Sequence, residues 1–140
     1  MPKENIEVIT GRLSKYEDEP QQVTSKVAKI SMHSDYRPET INNDIALLEL
    51  VEPVPFNKHM KKACIGKEDF SKGKVAISGW GKGSGSNLKW TYLQLMSRDR
   101  CREIMAEVEV PWPLPTITEN MVCALDNDYV STGCAGDSGG

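Results

Sequence analysis

Apolar residues along this chain fall in short runs separated by clusters of glycine, proline, asparagine and charge. Residues 21–30, QQVTSKVAKI, set Val23, Ser25, Val27 and Lys29 against Thr24, Lys26, Ala28 and Ile30. That two-residue period predicts a strand, as does the compact run DIALLELV at 44–51 behind Asn42 and Asn43. Residues 52–74, with two prolines, two glycines and no sustained period, predict a connector crossing a surface. VAISGWG at 75–81 reads as a strand running into a glycine-framed turn, and KGSGSN at 82–87 as a mobile loop. LKWTYLQLM at 88–96 predicts a half-buried strand with Leu88, Trp90, Tyr92 and Met96 on one face, interrupted by Gln94. Ile104, Met105 and Val108 in CREIMAEVEV have helical spacing, enough for one or two turns before Pro111 and Pro113 forbid more. NMVCAL at 120–125 is strand-like again. Short strands with frequent turns and little helix predict an all-β sandwich or barrel, and no internal repeat is present.

Composition narrows the function classes. The 140 residues suffice for one core and are too few for two domains of ordinary size. With 39% hydrophobic and 26% charged residues the chain is of globular and not disordered type. The net charge of −3, with lysines scattered in ones and twos, argues against a nucleic-acid or anionic-membrane surface. No apolar run approaches the roughly 18 residues of a bilayer span. The opening MPKENIEVITGRLSKYEDEP lacks the apolar stretch of a secretory signal and, taken literally, describes a cytosolic protein. Cys64, Cys101, Cys123 and Cys134, spaced by 37, 22 and 11, match no zinc or redox pattern, and buried free thiols are the plain expectation.

Two polar positions sit where stability alone would not ask for them. Asp44 stands at the mouth of an apolar strand, a place that suits an Asx turn as well as chemistry. Ser138 lies between Asp137 and two glycines in STGCAGDSGG. A Gly/Ser-rich end can be a flexible tail. Glycines there also let the backbone bend sharply, clear the hydroxyl for an approaching carbonyl, and free N–H groups to face an oxyanion.

NNDIALLEL (42–50), ISGWGKG (77–83) and GCAGDSGG (133–140) resemble three signature blocks of the chymotrypsin-like (trypsin-like, S1) serine endopeptidases, in family order. The resemblance runs from about Gly11 to Gly140. It implies a double Greek-key β-barrel, here truncated at both ends. Residues 1–53 would be the C-terminal half of the first barrel, 54–73 the connector, and 74–140 the N-terminal part of the second. It makes Ser138 the nucleophile and Asp44 the carboxylate that orients a histidine, 94 residues apart in the chain. The N–H groups of Gly136 and Ser138 would form the oxyanion hole. Asp137 would be the acid that pairs with a newly cut N-terminal amine, and Thr132, six before the serine, the floor of the specificity pocket. A threonine there disfavours Arg or Lys side chains, whose charge would be buried unpaired.

By the same resemblance Cys101 and Cys123 pair in a disulfide, and Cys134 has its partner downstream. Val75 stands where several vertebrate members carry a further bridging cysteine. The family's histidine lies about 45 residues before the aspartate, which runs off the front of this chain. His33 matches a non-catalytic segment and His59 falls in the connector, so the general base is expected to be missing and the chain to be an excised piece. Neither a cofactor nor a metal is implied. Protein or peptide substrates, protein protease inhibitors and secretion are, with no nucleic acid and no membrane. A non-catalytic homologue acting as a binding or regulatory module is the alternative. For the chain in isolation, halved barrels with unpaired strand edges predict poor folding and no proteolysis.

Overall fold

Valine, isoleucine and threonine fit a pleated backbone, and each of the predicted runs forms a strand. The computed structural model describes residues 2–66, 72–83, 85–109, 114, 116–126, 133 and 135–138. Among these the strands are β1 (Glu7–Thr10), β2 (Val23–Met32), β3 (Ala46–Leu50), β4 (Lys74–Gly79), β5 (Lys89–Met96) and β6 (Cys123–Leu125), with helix α1 (Arg98–Glu107) before the last. They pair antiparallel in two three-stranded sheets, ordered β1-β2-β3 and β4-β5-β6. This is the expected all-β architecture. Residues 52–66 form no strand or helix.

In the first sheet Glu7 to Thr10 lie opposite Lys26 to Val23. β2 turns Ser25 and Val27 inward, and strict alternation would then turn Ile30 to solvent. A bulge prevents this: Val27 faces Leu50 and Lys29 faces Glu49, which leaves Ala28 as the extra residue and brings Ile30 opposite Leu48. The Ala28 carbonyl accepts a bond from the Lys3 Nζ at 2.7 Å, so the irregular point does not go unpaired.

The second sheet corrects the expected face of β5. Its buried side chains are Leu93 and Leu95, while Trp90 and Tyr92 are 64% and 58% exposed. Cross-strand pairing decides the matter. Leu93 lies opposite Val75, Thr91 opposite Ile77 and Leu95 opposite Ala124, so the aliphatic side chains of three strands share one face. Trp90 and Tyr92 lie opposite Ser78 and Ala76, which are too small to cover them. The two rings pack edge to face with centroids 5.3 Å apart.

α1 is longer than its apolar spacing indicates and starts three residues earlier. Ser97 caps it, with Oγ accepting from the Arg100 N–H at 3.2 Å. A disulfide joins Cys101 of α1 to Cys123 of β6. Cys64, by contrast with the expectation of buried thiols, is free and exposed. Cys134 lies outside the described residues.

The two sheets are laced by the segment between β1 and β2. Ser14 bridges Asn87, the Lys15 N–H donates to the Ser86 carbonyl at 2.6 Å, and the Leu88 N–H donates to the Leu13 carbonyl at 2.9 Å. The Trp80 indole N–H reaches that same Leu13 carbonyl at 2.8 Å. The far end of the loop expected to be mobile is therefore held. Behind the lacing, Glu19 takes bonds from the N–H groups of Leu13 (2.8 Å) and Ser14 (3.1 Å) and from the Gln21 amide. Those bonds, the Leu13 one foremost, hold its carboxyl below the ordinary carboxylate range, with Arg12 adding a smaller pull.

Both sheets are open. The chain exposes 11358 Å², against about 7,200 Å² for a compact monomer of its mass. No large side chain is fully buried among the described residues, and Met32 and Leu47 are each 71% exposed. Among the described residues β1 and β3 are the edges of the first sheet and β4 and β6 those of the second.

Candidate active site

Asp44 owes its position to the long connection between β2 and β3. The ladder extends one step past the strands, with the His33 N–H donating to the Ile45 carbonyl at 3.1 Å. Between them the chain folds on itself, Arg37 bridging Asn42, and Ile41 and Asn43 taking φ values of 55° and 57°. A left-handed backbone is ordinary for asparagine and rare for a β-branched residue, so the loop stores strain at Ile41. The Ile45 N–H donates to the Asn43 carbonyl at 2.8 Å, which makes Asp44 the central residue of a three-residue turn. Its side chain is exposed and makes no hydrogen bond among the described residues.

The flanking asparagines are engaged. Asn43 donates through Nδ2 to the Asp35 carbonyl at 3.0 Å and accepts at Oδ1 from Asn120 Nδ2 at 2.7 Å. Asn42 Oδ1 accepts from the Thr118 hydroxyl at 2.8 Å. Residues 117–119 are in turn held by α1. The Ile117 carbonyl takes two bonds from the Arg102 guanidinium, at 2.9 and 3.2 Å, and the Glu119 carbonyl one from Arg98 at 2.9 Å.

Ser138 lies in an exposed turn with Ala135, Gly136 and Asp137, and that turn is seated on the end of β4. Asp137 Oδ1 accepts from the Gly81 N–H at 2.7 Å, and the Lys82 N–H donates to the Ala135 carbonyl at 2.9 Å. The glycines of SGWG make room for this carboxylate. A Cβ on Gly79 would stand 2.8 Å from Asp137 Cγ, and one on Gly81 would stand 2.6 Å from Oδ1. Gly136, at φ 98°, has backbone that side-chain-bearing residues rarely adopt, and its own Cβ would meet the Gly81 Cα at 3.4 Å.

The histidines lie apart from this chemistry. His33 Nδ1 accepts from the Asp35 N–H at 3.1 Å, closing its own turn, and the His59 N–H donates to Asn57 Oδ1 at 2.8 Å. Neither makes a hydrogen bond to Asp44 or Ser138. Thr132 lies outside the described residues, as do Val110–Pro113 and Pro115 of the proline-rich segment.

Sequence reasoning missed Thr118 and Asn120, and their only signal is polar residues just ahead of a short strand. It also missed Glu19, whose bonds run to main-chain groups and leave no periodic trace.

The sequence model of the family described as Trypsin matches residues 2–140. Mannan-binding lectin serine protease 1 of Mus musculus is 27% identical over 97% of this chain and 19% of its own length. The Homo sapiens protein of the same name is 26% identical, over 97% of this chain and 20% of its own. The chain thus spans about a fifth of the length of these curated relatives. With nearly every residue matched by the family model, and with two antiparallel sheets and one short α-helix among the described residues in keeping with a chymotrypsin-like β fold, the chain belongs to the trypsin family of serine proteases.

Proposed function

We propose that this chain carries the nucleophile and the orienting carboxylate of a serine endopeptidase. Ser138 attacks the scissile carbonyl through Oγ while an imidazole takes its proton. Asp44 holds that imidazole in the productive tautomer and stabilises the cation it becomes. The N–H groups of Gly136 and Ser138 receive the oxyanion, and losing one such donor costs about 3–4 kcal/mol of transition-state stabilisation. The amine product leaves with the proton from the imidazole, and water then cleaves the acyl-enzyme by the same route. The imidazole is assigned to neither His33, whose Nδ1 accepts from the Asp35 N–H, nor His59, since neither makes a hydrogen bond to Asp44 or Ser138.

The observation that carries this reading is the seating of the Ser138 turn. A glycine-lined cradle grips Asp137, and the next residue presents an exposed hydroxyl. Asp137 serves as the anchor of the oxyanion turn. Thr132 forms the pocket floor, which favours an apolar or aromatic side chain over Arg or Lys. Substrates are proteins or peptides, and protein inhibitors regulate their cleavage. The Cys101–Cys123 bridge favours an oxidising, extracellular setting. No helix among the described residues is long and apolar enough to cross a membrane.

A second reading, a non-catalytic homologue used for binding, is favoured by one observation: neither histidine makes a hydrogen bond to Asp44 or Ser138. Fluorophosphonate labelling of the full-length gene product separates the two. The enzyme reading expects a single adduct on the Ser138 peptide, lost in Ser138→Ala. It also expects faster cleavage after an aromatic residue than after arginine. A folded, soluble protein that takes no adduct at Ser138 leaves the binding module in its place.

A further inference from the structure

We propose that Thr118 and Asn120 are positioning residues for Asp44, forming a polar clamp that reaches from the second sheet's half of the chain to the strained turn of the first. The proposal rests on the reading of Asp44 as the orienting carboxylate and adds to it the device that aims this side chain.

Three observations converge on it. First, Asp44 is the middle residue of a three-residue turn, so its direction follows the backbone of Asn43 and Ile45 and little else. Second, that backbone is not at rest by itself. Ile41 and Asn43 are both left-handed, at little cost for the asparagine, but for β-branched Ile41 the conformation persists only where surrounding contacts over-determine it. Third, the contacts that do so come from far along the chain. The Thr118 hydroxyl bonds Asn42 and the Asn120 amide bonds Asn43, at sequence separations of 76 and 77. Asn43 is held from both ends of its amide, by Asn120 and by the Asp35 carbonyl, which leaves the side chain no freedom to flip.

The clamp is itself braced. Arg102 donates twice to the Ile117 carbonyl and Arg98 once to the Glu119 carbonyl, fixing the residues on either side of Thr118 to α1. α1 is tied to β6 through Cys101 and Cys123. A continuous path of covalent and hydrogen bonds therefore runs from the second sheet to the turn that carries Asp44. Small misplacements of a positioned group reduce rates steeply, since geometry sets the fraction of encounters that react. A protease that places its carboxylate on one sheet and its serine beside the other needs a tie of this kind between them.

Amide hydrogen exchange tests the clamp without reference to activity. In Thr118→Val/Asn120→Ala the Ile45 N–H, which closes the Asp44 turn, is expected to exchange at least tenfold faster. The Val51 N–H, bonded to the Lys26 carbonyl within the same sheet, should keep its rate. Thr118→Ser retains the hydroxyl and restores the Thr118 half of the protection. Equal acceleration at Ile45 and Val51, or none at Ile45, overturns the clamp. In the full-length gene product the same double variant should lower kcat about tenfold with KM unchanged, again partly rescued in Thr118→Ser/Asn120→Ala. Unchanged kcat overturns the positioning role even if exchange responds. Absence of hydrolysis by the unsubstituted protein removes the proposed function, and with it that role, while exchange still decides whether the clamp exists.

Discussion

Replacing Gly81 with alanine probes the seat of the nucleophile turn. The new Cβ would arrive 2.6 Å from Asp137 Oδ1, where no methyl group fits. The obstacle is the whole carboxyl group of one side chain, Cγ as well as both oxygens, so Asp137 must turn about its Cα–Cβ bond to clear the methyl. What it surrenders is the bond from the Gly81 N–H, a charge-assisted contact worth about 1.5–3 kcal/mol. The turn that leans on it also loosens the Lys82 to Ala135 backbone bond, worth about 1 kcal/mol. Asp137 is half-buried and partly screened by solvent. The combined loss is therefore about 2–3 kcal/mol, or roughly 30- to 150-fold in the opening equilibrium of the turn. Exchange of the Lys82 amide reads this directly, with the Leu95 amide, bonded to the Gly73 carbonyl, as the unaffected reference. A double-mutant cycle isolates the cause. In an Asp137→Ala background there is no carboxylate to expel, and Gly81→Ala should cost less than about 0.5 kcal/mol. An equal cost in both backgrounds would refute the idea that Gly81 exists to make room for Asp137.

Two further outcomes follow from the same structure. Cys101→Ser/Cys123→Ser opens a link closing 22 residues, which by loop entropy removes about 3 kcal/mol. The urea midpoint should fall by about 1–2 M, and an unchanged midpoint contradicts the bridge's contribution. Glu19 ties stability to pH. Its folded-state carboxyl lies below the usual value because the Leu13 and Ser14 N–H groups favour the anion. Its contribution is therefore complete above the unfolded value of about 4.3 and fades as pH falls through the folded one. Glu19→Gln should be less stable than the parent at pH 7 and converge with it in acid, as urea titrations at both pH values would show. A gap that widens on acidification would count against it.

How much of this was legible beforehand depends on whether the cause is local. The runs that became β2 to β6 announce themselves because valine, isoleucine and aromatic side chains suit a pleat wherever they occur. Which face of β5 goes inside is not local, since it depends on Val75, Ile77 and Ala124 across the sheet. The showier Trp90 and Tyr92 drew the expectation to the wrong side. The start of α1 was within reach, because Ser97 with Asp99 close behind it is an N-terminal signal that apolar spacing overlooks. β1 was too short to read, and the bracing by Glu19 runs to main-chain groups. The glycines of ISGWG were visible as a motif. That they accommodate a carboxylate 56 residues away along the chain only the folded structure explains.

The Leu13 carbonyl, with its two lone pairs shared between the Trp80 indole and the Leu88 amide, pins both stems of the excursion that contains Gly83 and Gly85. Side chains added at either glycine would meet nothing within 4 Å. Each doubling of a flexible excursion costs only about 0.6 kcal/mol more to close. The molecule thus offers a ready graft point: a foreign peptide spliced at that apex would be displayed outward on a stem the fold already supplies. Lengthening the partner segment around Leu13 would instead part the two sheets.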